Sequence, residues 1–278
     1  MFAARSALVA ALCVIVVGCE NSPPVGDPPP ESPWAAGFEQ DRPDQDTPYA
    51  DVRLTNLGRT EVTVEGVRLR WSGYPERRWQ PADMTYGGGH THRLDIRLPR
   101  PACDDNPAEP PGVQVRLVDG STATVELDAP GAKLLRLIWD RQCGEQRLLD
   151  AVGVDFEGWQ EVRQGGGPAM RVHLTGERRD TDAEVTLTET RGSVLLDLEP
   201  AGRDRVLLSR SAARGRIPVV VTPIGRCEAH ALADSSHTFD FRVWLSLDGG
   251  PEQSLVMRPD TRARLRLEKV ITDDCDTG

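Results

Sequence analysis

Residues 113–127 read VQVRLVDGSTATVEL, in which two runs of alternating apolar and polar residues are separated by Asp119-Gly120. Successive side chains of a β-strand point to opposite faces, so alternation with a period of two predicts strands with one buried face. An Asp-Gly pair between such runs is typical of the tight turn of a hairpin. This stretch therefore predicts an antiparallel β-hairpin.

The same alternation recurs from Tyr49 onward, for example in residues 94–98 (LDIRL) and 171–175 (RVHLT), and Gly, Asp or Pro bound the runs. No later stretch keeps a helical period over three turns with caps. Residues 134–139 (LLRLIW) are compatible with a helix, but their β-branched and aromatic end favours a strand. The sequence therefore predicts an all-β fold.

The first eighteen residues have the parts of an export signal. Arg5 gives residues 1–5 a positive charge, and residues 6–17 (SALVAALCVIVV) form an apolar run. As a helix this run spans roughly 18 Å, well short of the ~30 Å core of a bilayer. The run therefore predicts a signal peptide and not a permanent membrane span.

Residues 16–19 (VVGC) resemble the lipobox of bacterial lipoproteins. The resemblance implies cleavage before Cys19, a lipid on the Cys19 thiol, and attachment to the outer face of the cell membrane. The alternative is an ordinary secretory signal with a cysteine near its end by accident.

The chain has 22 prolines and 26 glycines, and only Lys133 and Lys269 of its 33 basic residues are lysines. In this bias, with the lipobox, it resembles actinobacterial cell-envelope proteins.

Residues 20–47 are rich in Pro, Asp, Glu and Gly and poor in periodic apolar residues. Such a segment cannot bury enough apolar surface to offset the entropy of ordering it. After a signal peptide at residues 1–18, we therefore expect residues 19–47 to form a lipidated cysteine and a disordered Pro-rich linker. The linker would hold a folded body away from the lipid surface.

The second half of the chain repeats the pattern of the first. Residues 171–175 (RVHLT) echo residues 51–55 (DVRLT), and Asp248-Gly249 echoes Asp119-Gly120. A proline precedes a cysteine by four residues in both halves, in the pairs Pro99 and Cys103, and Pro223 and Cys227. The repetition predicts two diverged copies of one β domain, at residues 48–162 and 169–278, with a spacer that includes residues 164–168 (QGGGP).

Four cysteines remain once Cys13 is cleaved off with the signal peptide and lipid occupies Cys19: Cys103, Cys143, Cys227 and Cys275. An even count in an exported protein favours two disulfides. Four cysteines allow three pairings, but domains that each fold alone would pair Cys103 with Cys143 and Cys227 with Cys275. About seven short strands per domain fit two tandem immunoglobulin-like β-sandwiches. The cysteines lie later in each copy than the usual pair of an immunoglobulin domain.

The net charge of the chain is -10, and no stretch of a predicted face is rich in Lys and Arg. Nucleic acid and anionic lipid headgroups are therefore excluded as expected partners. The membrane contact is expected through the lipid on Cys19.

His90 and His92 follow three glycines, and on a strand their side chains would share a face. Such a pair could bind copper or zinc if a third ligand came from His173, His230 or His237. The sequence favours a solvated pair, because no Met-rich or Cys/His-rich signature accompanies it. Asp104-Asp105 and the acidic residues of segment 273–276 lack the ligand spacing of a calcium loop and are expected to be solvated turn residues. We predict no metal and no cofactor.

Trp71, Tyr74, Trp79 and Tyr86 lie in one segment that also contains residues 75–78 (PERR). Aromatic residues and arginines are enriched where proteins contact a partner, so the segment is a candidate surface for a protein or a glycan. The alternative, which the sequence favours, places Trp71 and Trp79 in the sandwich core.

Motifs of serine hydrolases, metallopeptidases and phosphate-binding loops are absent from the sequence. We therefore expect a membrane-anchored extracytoplasmic lipoprotein that is not an enzyme and that binds or adapts an envelope protein or glycan. One alternative is a copper- or zinc-handling surface lipoprotein that uses His90 and His92. A second alternative is an extracytoplasmic hydrolase.

Overall fold

The computed structural model describes residues 32–75, 78–104, 106–228 and 237–277, which belong to one compact unit. This part of the chain contains fifteen strands, two α-helices and a 3-10 turn at Arg42–Asp44. The strands are β1 (Trp34–Glu39), β2 (Tyr49–Asn56), β3 (Val62–Arg70), β4 (Gln80–Tyr86), β5 (Thr91–Arg97), β6 (Gly112–Leu117), β7 (Thr122–Glu126), β8 (Val152–Gln164), β9 (Gly167–Arg178), β10 (Val185–Arg191), β11 (Leu196–Pro200), β12 (Val206–Leu208), β13 (Arg214–Pro223), β14 (Phe241–Leu247) and β15 (Gln253–Met257). The helices are α1 (Ala129–Ala151) and α2 (Thr261–Thr277).

The first domain is a sandwich of two antiparallel sheets. One sheet has the strand order β1-β2-β5 and the other has the order β4-β3-β6-β7. Side chains that alternate along the strands form a single buried cluster, in which Val52, Leu54, Val113 and Val115 are fully buried. The predicted hairpin at residues 113–127 is confirmed, because β6 pairs with β7 across the Asp119-Gly120 turn.

The second domain repeats this arrangement with one more strand. Its sheets have the orders β8-β9-β13-β11 and β12-β10-β14-β15, and a second buried cluster lies between them. The strands β8, β9 and β13 correspond to β1, β2 and β5, and β10, β14 and β15 correspond to β3, β6 and β7. Both domains therefore have the immunoglobulin-like arrangement of first, second and fifth strands opposite third, sixth and seventh. The predicted pair of immunoglobulin-like sandwiches is confirmed.

Each domain contains one disulfide, between Cys103 and Cys143 and between Cys227 and Cys275. In each case the first cysteine lies in the loop after the fifth corresponding strand, β5 or β13. The second lies in the helix that follows the last strand, α1 or α2. The two domains therefore share their disulfide position as well as their strand order.

The prediction that residues 134–139 form a strand is wrong, because they lie inside α1. The side chain of Asp128 accepts a hydrogen bond from the Gly131 N–H at 2.8 Å and caps the helix, and Pro130 lies in its first turn. Helical spacing of three and four residues separates the buried Gly131, Leu135 and Ile138. Tertiary packing of this face outweighs the strand preference of the segment's β-branched and aromatic end.

The prediction that no later stretch forms a capped helix of three turns is also wrong for α2 (Thr261–Thr277). Asp260 caps this helix, since its Oδ1 accepts from the Ala263 N–H at 2.7 Å. Ala263, Leu267 and Val270 are buried at helical spacing. Both helices therefore add to a fold that is otherwise made of strands.

The predicted spacer at residues 164–168 is the turn of a hairpin. Strand β8 pairs with β9 from Val152 opposite Arg178 to Gln164 opposite Gly167. Gly165 and Gly166 have φ values of 62° and 90°, as a two-residue turn between twisted strands requires. The second domain therefore begins before residue 152, and the boundaries predicted at residues 162 and 169 are wrong.

The predicted linker is also too long. Trp34 to Glu39 form β1, which pairs with β2 in register from Trp34 opposite Asn56 to Glu39 opposite Asp51. The side chains of Trp34, Ala36 and Phe38 alternate into the core. The first domain therefore includes residues from 34 onward, because this short alternating run buries enough apolar surface to be ordered.

Helix α1 connects the domains and belongs to both cores. Leu135, Ile138 and Trp139 are buried in the cluster of the first domain, while Leu148 is buried in that of the second. The helix continues directly into β8 at Val152. A continuous helix whose two halves are buried in different cores couples the domains, so α1 and not the predicted spacer at residues 164–168 connects them.

Candidate functional site

Three of the four aromatic residues singled out in the sequence belong to the core. Trp71, Tyr74 and Tyr86 are at most 5% exposed. The Trp71 indole donates to the Glu109 carbonyl at 3.1 Å, and the Tyr74 hydroxyl donates to Gln142 Oε1 at 2.8 Å. The core interpretation is therefore confirmed for Trp71.

Trp79 is only half-buried, and the prediction that it fills the core is wrong. It lies on the outer face of the β4-β3-β6-β7 sheet beside Gly66, where a Cβ atom would come within 3.7 Å of the indole. The guanidinium carbons of Arg68 and Arg116 lie 4.3 and 4.7 Å from the centre of a Trp79 ring. These cation–π contacts place two positive charges around one aromatic side chain.

Neighbouring polar side chains hold these two arginines in place. Arg68 Nε and Nη2 donate to Gln114 Oε1 at 2.9 and 2.6 Å, and Arg116 Nε lies 2.9 Å from Glu65 Oε2. Arg68, Gln114 and Arg116 alternate with buried residues along β3 and β6, so their side chains share the outer face. We define Arg68, Trp79, Gln114 and Arg116 as the Trp79 face.

A groove of about 650 Å³ adjoins the Trp79 face at the open edges of β4 and β5. Arg78, Asp95, Arg97 and Arg100 contribute exposed charged side chains to its lining. Within the described residues, the guanidinium groups of Arg97 and Arg100 have no ion pair and no hydrogen bond. They are therefore free to bind an anionic group.

Gln80 lines this groove and contacts the edge of β5. Its Oε1 accepts from the backbone N–H of Arg97 at 2.6 Å, and its Nε2 donates to the Arg97 carbonyl at 3.3 Å. The side chain thus replaces a neighbouring strand at this residue of the β5 edge. We define the space lined by Arg78, Gln80, Asp95, Arg97 and Arg100 as the arginine groove.

Two other arginines of the β1-β2-β5 sheet, Arg53 and Arg93, are paired, unlike Arg97 at the end of β5. Arg53 lies 2.9 Å from Glu39 and 3.1 Å from Asp128, and Arg93 lies 3.0 Å from Asp41. Burial raises the pKa of the Asp51 carboxyl; a hydrogen bond from Arg93 lowers it and one with Asp95 raises it.

The contact between the domains contains a second polar cluster. Asp46 of the first domain pairs with Arg242 of β14 and lies 3.4 Å from Arg141 of α1. Burial raises the pKa of the nearby Glu145, and Arg141 partly offsets this effect. These groups neutralise one another, which is typical of a structural contact.

His237 and Asp240 lie close to this contact. The His237 Nδ1 is 2.9 Å from Asp240 Oδ2, and Arg258 Nε and Nη2 contact the same carboxylate at 2.9 and 3.0 Å. Burial acts to raise the pKa of Asp240, but hydrogen bonds from Arg258 and His237 outweigh it and hold that pKa below its usual value. The carboxylate is therefore held in its charged form.

The candidate metal ligands do not converge within the described part of the chain, where no group of three His, Cys, Asp or Glu side chains could hold an ion. His90 precedes β5 and is exposed, whereas His92 is half-buried with its ring 4.8 Å from that of Tyr86. His173 lies on β9 and His237 precedes β14. His230 and the lipidation candidate Cys19 lie outside the described residues.

The acidic clusters occupy different environments. Asp104 lies in the β5–β6 loop, and Asp105 is outside the described residues. Asp273, Asp274 and Asp276 lie on α2 and not in a turn, and Asp273 Oδ2 is 2.5 Å from Lys269 Nζ one helical turn earlier. The expectation of turn residues is therefore wrong for the second cluster.

Across the described ranges, neither helix has the length and apolar character needed to cross a bilayer.

The fold and the site define a two-domain immunoglobulin-like β-sandwich protein with one disulfide per domain and an arginine-lined outer groove. Neither a family model nor a curated protein matches the chain.

Among solved structures, it is similar to the CsuC–CsuE chaperone–tip adhesion subunit pre-assembly complex from the archaic chaperone-usher Csu pili of Acinetobacter baumannii. That match has 11% identity and a TM-score of 0.16, and covers 76% of this chain and 92% of the other. The BSP domain of a biofilm associated protein matches at 10% identity with a TM-score of 0.20, covering 81% of this chain and 58% of the other. The B domain of a biofilm associated protein matches at 10% identity with a TM-score of 0.20, covering 81% of this chain and 85% of the other. At such TM-scores these similarities carry no functional argument.

Proposed function

We propose that the chain is an exported lipoprotein, anchored through Cys19, that binds a component of the cell envelope without enzymatic activity. The single observation that supports binding is the arginine groove beside the Trp79 face, where Arg97 and Arg100 are exposed and unpaired within the described residues. Arginine and tryptophan are the residues most enriched at the energetic centres of binding surfaces. The anchor rests on the lipobox at residues 16–19.

The two-domain architecture suits such a role. Because α1 is buried in both cores, the domains would hold the groove at a set orientation on the body of the protein. Residues 20–31, which include five prolines, would separate that body from the lipid. A rigid body loses little conformational freedom when it binds a polymer, which favours affinity.

Retention on the cell wall tests the binding proposal. Full-length protein in detergent is mixed with walls of the source bacterium from which non-covalently bound proteins have been removed, and the sedimented fraction is measured. We expect the wild type to sediment and an Arg97→Ala/Arg100→Ala variant to remain mostly in solution.

The control variant is Arg203→Ala/Arg262→Ala. It removes two exposed arginines of the second domain that, like Arg97 and Arg100, have no partner within the described residues. The charge change is the same, so this variant should sediment like the wild type. Equal sedimentation of all three proteins, or of none, would contradict binding through the groove.

A further inference from the structure

Arg97 and Arg100 differ from Arg53 and Arg93 of the same domain in having no ion pair within the described residues. Arg53 on β2 and Arg93 on β5 are engaged by carboxylates. In the groove, by contrast, Arg97 and Arg100 are two exposed arginines without an ion pair in the described ranges. Exposed like charges gathered in a chain of net charge -10 mark a site for a ligand of opposite sign.

The guanidinium group selects the kind of anion. Its planar fork matches two oxygens of a carboxylate or of a phosphate and binds them with paired hydrogen bonds, and we take the carboxylate as the acid group to test. Arg97 and Arg100 are three residues apart in an extended stretch, so their backbones are separated by up to roughly 10 Å. A ligand that engages both must carry acidic groups at intervals, as a polymer does.

Two features of the groove favour a sugar polymer over an acidic peptide. A peptide would bind best by pairing its backbone with the open edge of β5, but Gln80 already occupies the N–H and the carbonyl of Arg97. The exposed Asp95 carboxylate lines the same groove. A run of ionised acidic side chains offers this carboxylate no hydrogen-bond donor, whereas the hydroxyls of a sugar polymer can donate to it.

The size of the groove is also suitable, since about 650 Å³ lies within the ~300–1,000 Å³ typical of small-ligand sites. We propose that the arginine groove binds a carboxylate-bearing polysaccharide, with Arg97 and Arg100 engaging its acid groups and Asp95 its hydroxyls. This assignment rests on the proposed function, for which it names the ligand class.

Calorimetric titration of the full-length protein with oligogalacturonate tests the assignment. The matched probe is the same oligomer with its carboxyl groups reduced to alcohols, and poly-glutamate serves as the acidic peptide. We expect oligogalacturonate to bind, the reduced oligomer not to bind, and affinity to fall with salt. The Arg97→Ala/Arg100→Ala variant should bind at least about tenfold more weakly, because charge-assisted hydrogen bonds are lost.

The Asp95→Ala variant separates the two polymer classes. Removing the negative charge relieves repulsion for both probes, but only oligogalacturonate loses a hydroxyl acceptor, so the ratio of its affinity to that of poly-glutamate should fall. The Arg203→Ala/Arg262→Ala variant and unchanged circular dichroism spectra control for charge and folding.

Several results would overturn the assignment: no oligogalacturonate binding by the wild type, equal binding by the arginine variant, or tighter binding of poly-glutamate. If walls still retain the protein through Arg97 and Arg100 in that case, the ligand class is wrong and the proposed function stands. Loss of retention by the walls as well would contradict both the ligand class and the proposed function.

Discussion

The side chain of Gln80 forms two hydrogen bonds with the backbone of Arg97, one to the N–H and one to the carbonyl. It thereby joins β4 of one sheet to β5 of the other, at an edge of β5 where no strand of the described residues pairs. Open strand edges invite pairing with other chains, and a side chain that occupies the edge groups prevents it.

Replacing Gln80 with Ala should lower the free energy of unfolding by about 1 kcal/mol, because two solvent-exposed hydrogen bonds are lost. Gln80→Glu keeps the acceptor for the Arg97 N–H but lacks the amide donor, so it should be intermediate. Urea unfolding measured by fluorescence checks the order. Equal stability of all three proteins would show that the contact does not tie the two sheets.

Replacing a buried tyrosine with phenylalanine is expected to affect stability differently at Tyr74 and at Tyr86. The Tyr74 hydroxyl donates to Gln142, whereas the Tyr86 hydroxyl is buried with no hydrogen-bond partner within the described residues. Burial raises the pKa of Tyr86 to about 12. Tyr74→Phe should cost about 1 kcal/mol, while Tyr86→Phe should be neutral or stabilising, since it removes an unsatisfied polar atom.

Thermal unfolding of both variants beside the wild type is the measurement. A Tyr86→Phe variant that loses as much stability as Tyr74→Phe would mean that the Tyr86 hydroxyl has a partner in solution. The paired design controls for the general effect of removing a hydroxyl from a buried ring.

The crossing of β12 over the sheet of the second domain depends on a glycine. A Cβ atom at Gly215 would lie 1.7 Å from the Leu207 carbonyl oxygen, whereas one at Gly202 would meet nothing within 4 Å. Gly215→Ala should therefore destabilise the protein by about 2 kcal/mol or more, as overpacking in a core does. Gly202→Ala is the control and should change the unfolding midpoint little in the same denaturant titration.

The environment of Glu145, at the contact between the domains, predicts that the free energy of unfolding depends on pH. Burial raises its folded-state pKa above the ordinary value of 4.5, so the folded state holds the proton more tightly than the unfolded state. The contribution of Glu145 to the free energy of unfolding therefore falls as the pH rises from about 4.5 through the folded-state pKa, because burial disfavours the ionised form. Ionised Glu145 lowers stability at neutral pH.

Glu145→Gln should consequently stabilise the protein at pH 7 and have less effect at pH 4, where the wild-type carboxyl is largely protonated. Unfolding curves of both proteins at the two pH values provide the test. A variant that is less stable than the wild type at pH 7 would show that the pairing of Glu145 with Arg141 outweighs its burial.

The strands and the disulfides were predictable because each has a local signature. Alternation in residues such as 113–117 determines which face is buried, and the repeated Pro and Cys spacing reveals the duplication. The helices were not predicted, because Ile138 and Trp139 favour strands while the cap at Asp128 and the spacing of Leu135 and Ile138 favour a helix. Packing against the core decides such a conflict.

The candidate site was predictable only in part. Trp79 was among the aromatic residues considered, but its contacts with Arg68 and Arg116 depend on the register of β3 with β6, which shifts between Val64 and Gly66. No spacing in the sequence reports such a bulge. Arg97 ends β5 and Arg100 lies in the loop that follows it, so no sequence pattern shows that both side chains line one groove.

Intact mass of the protein extracted from membranes, combined with peptide mapping without reduction, tests the central claim most directly. The proposed function predicts a chain that begins at Cys19 with a diacylglyceryl group on its thiol and with the other four cysteines oxidised in pairs. An unprocessed chain recovered from the cytosol with a free Cys19 thiol would contradict it.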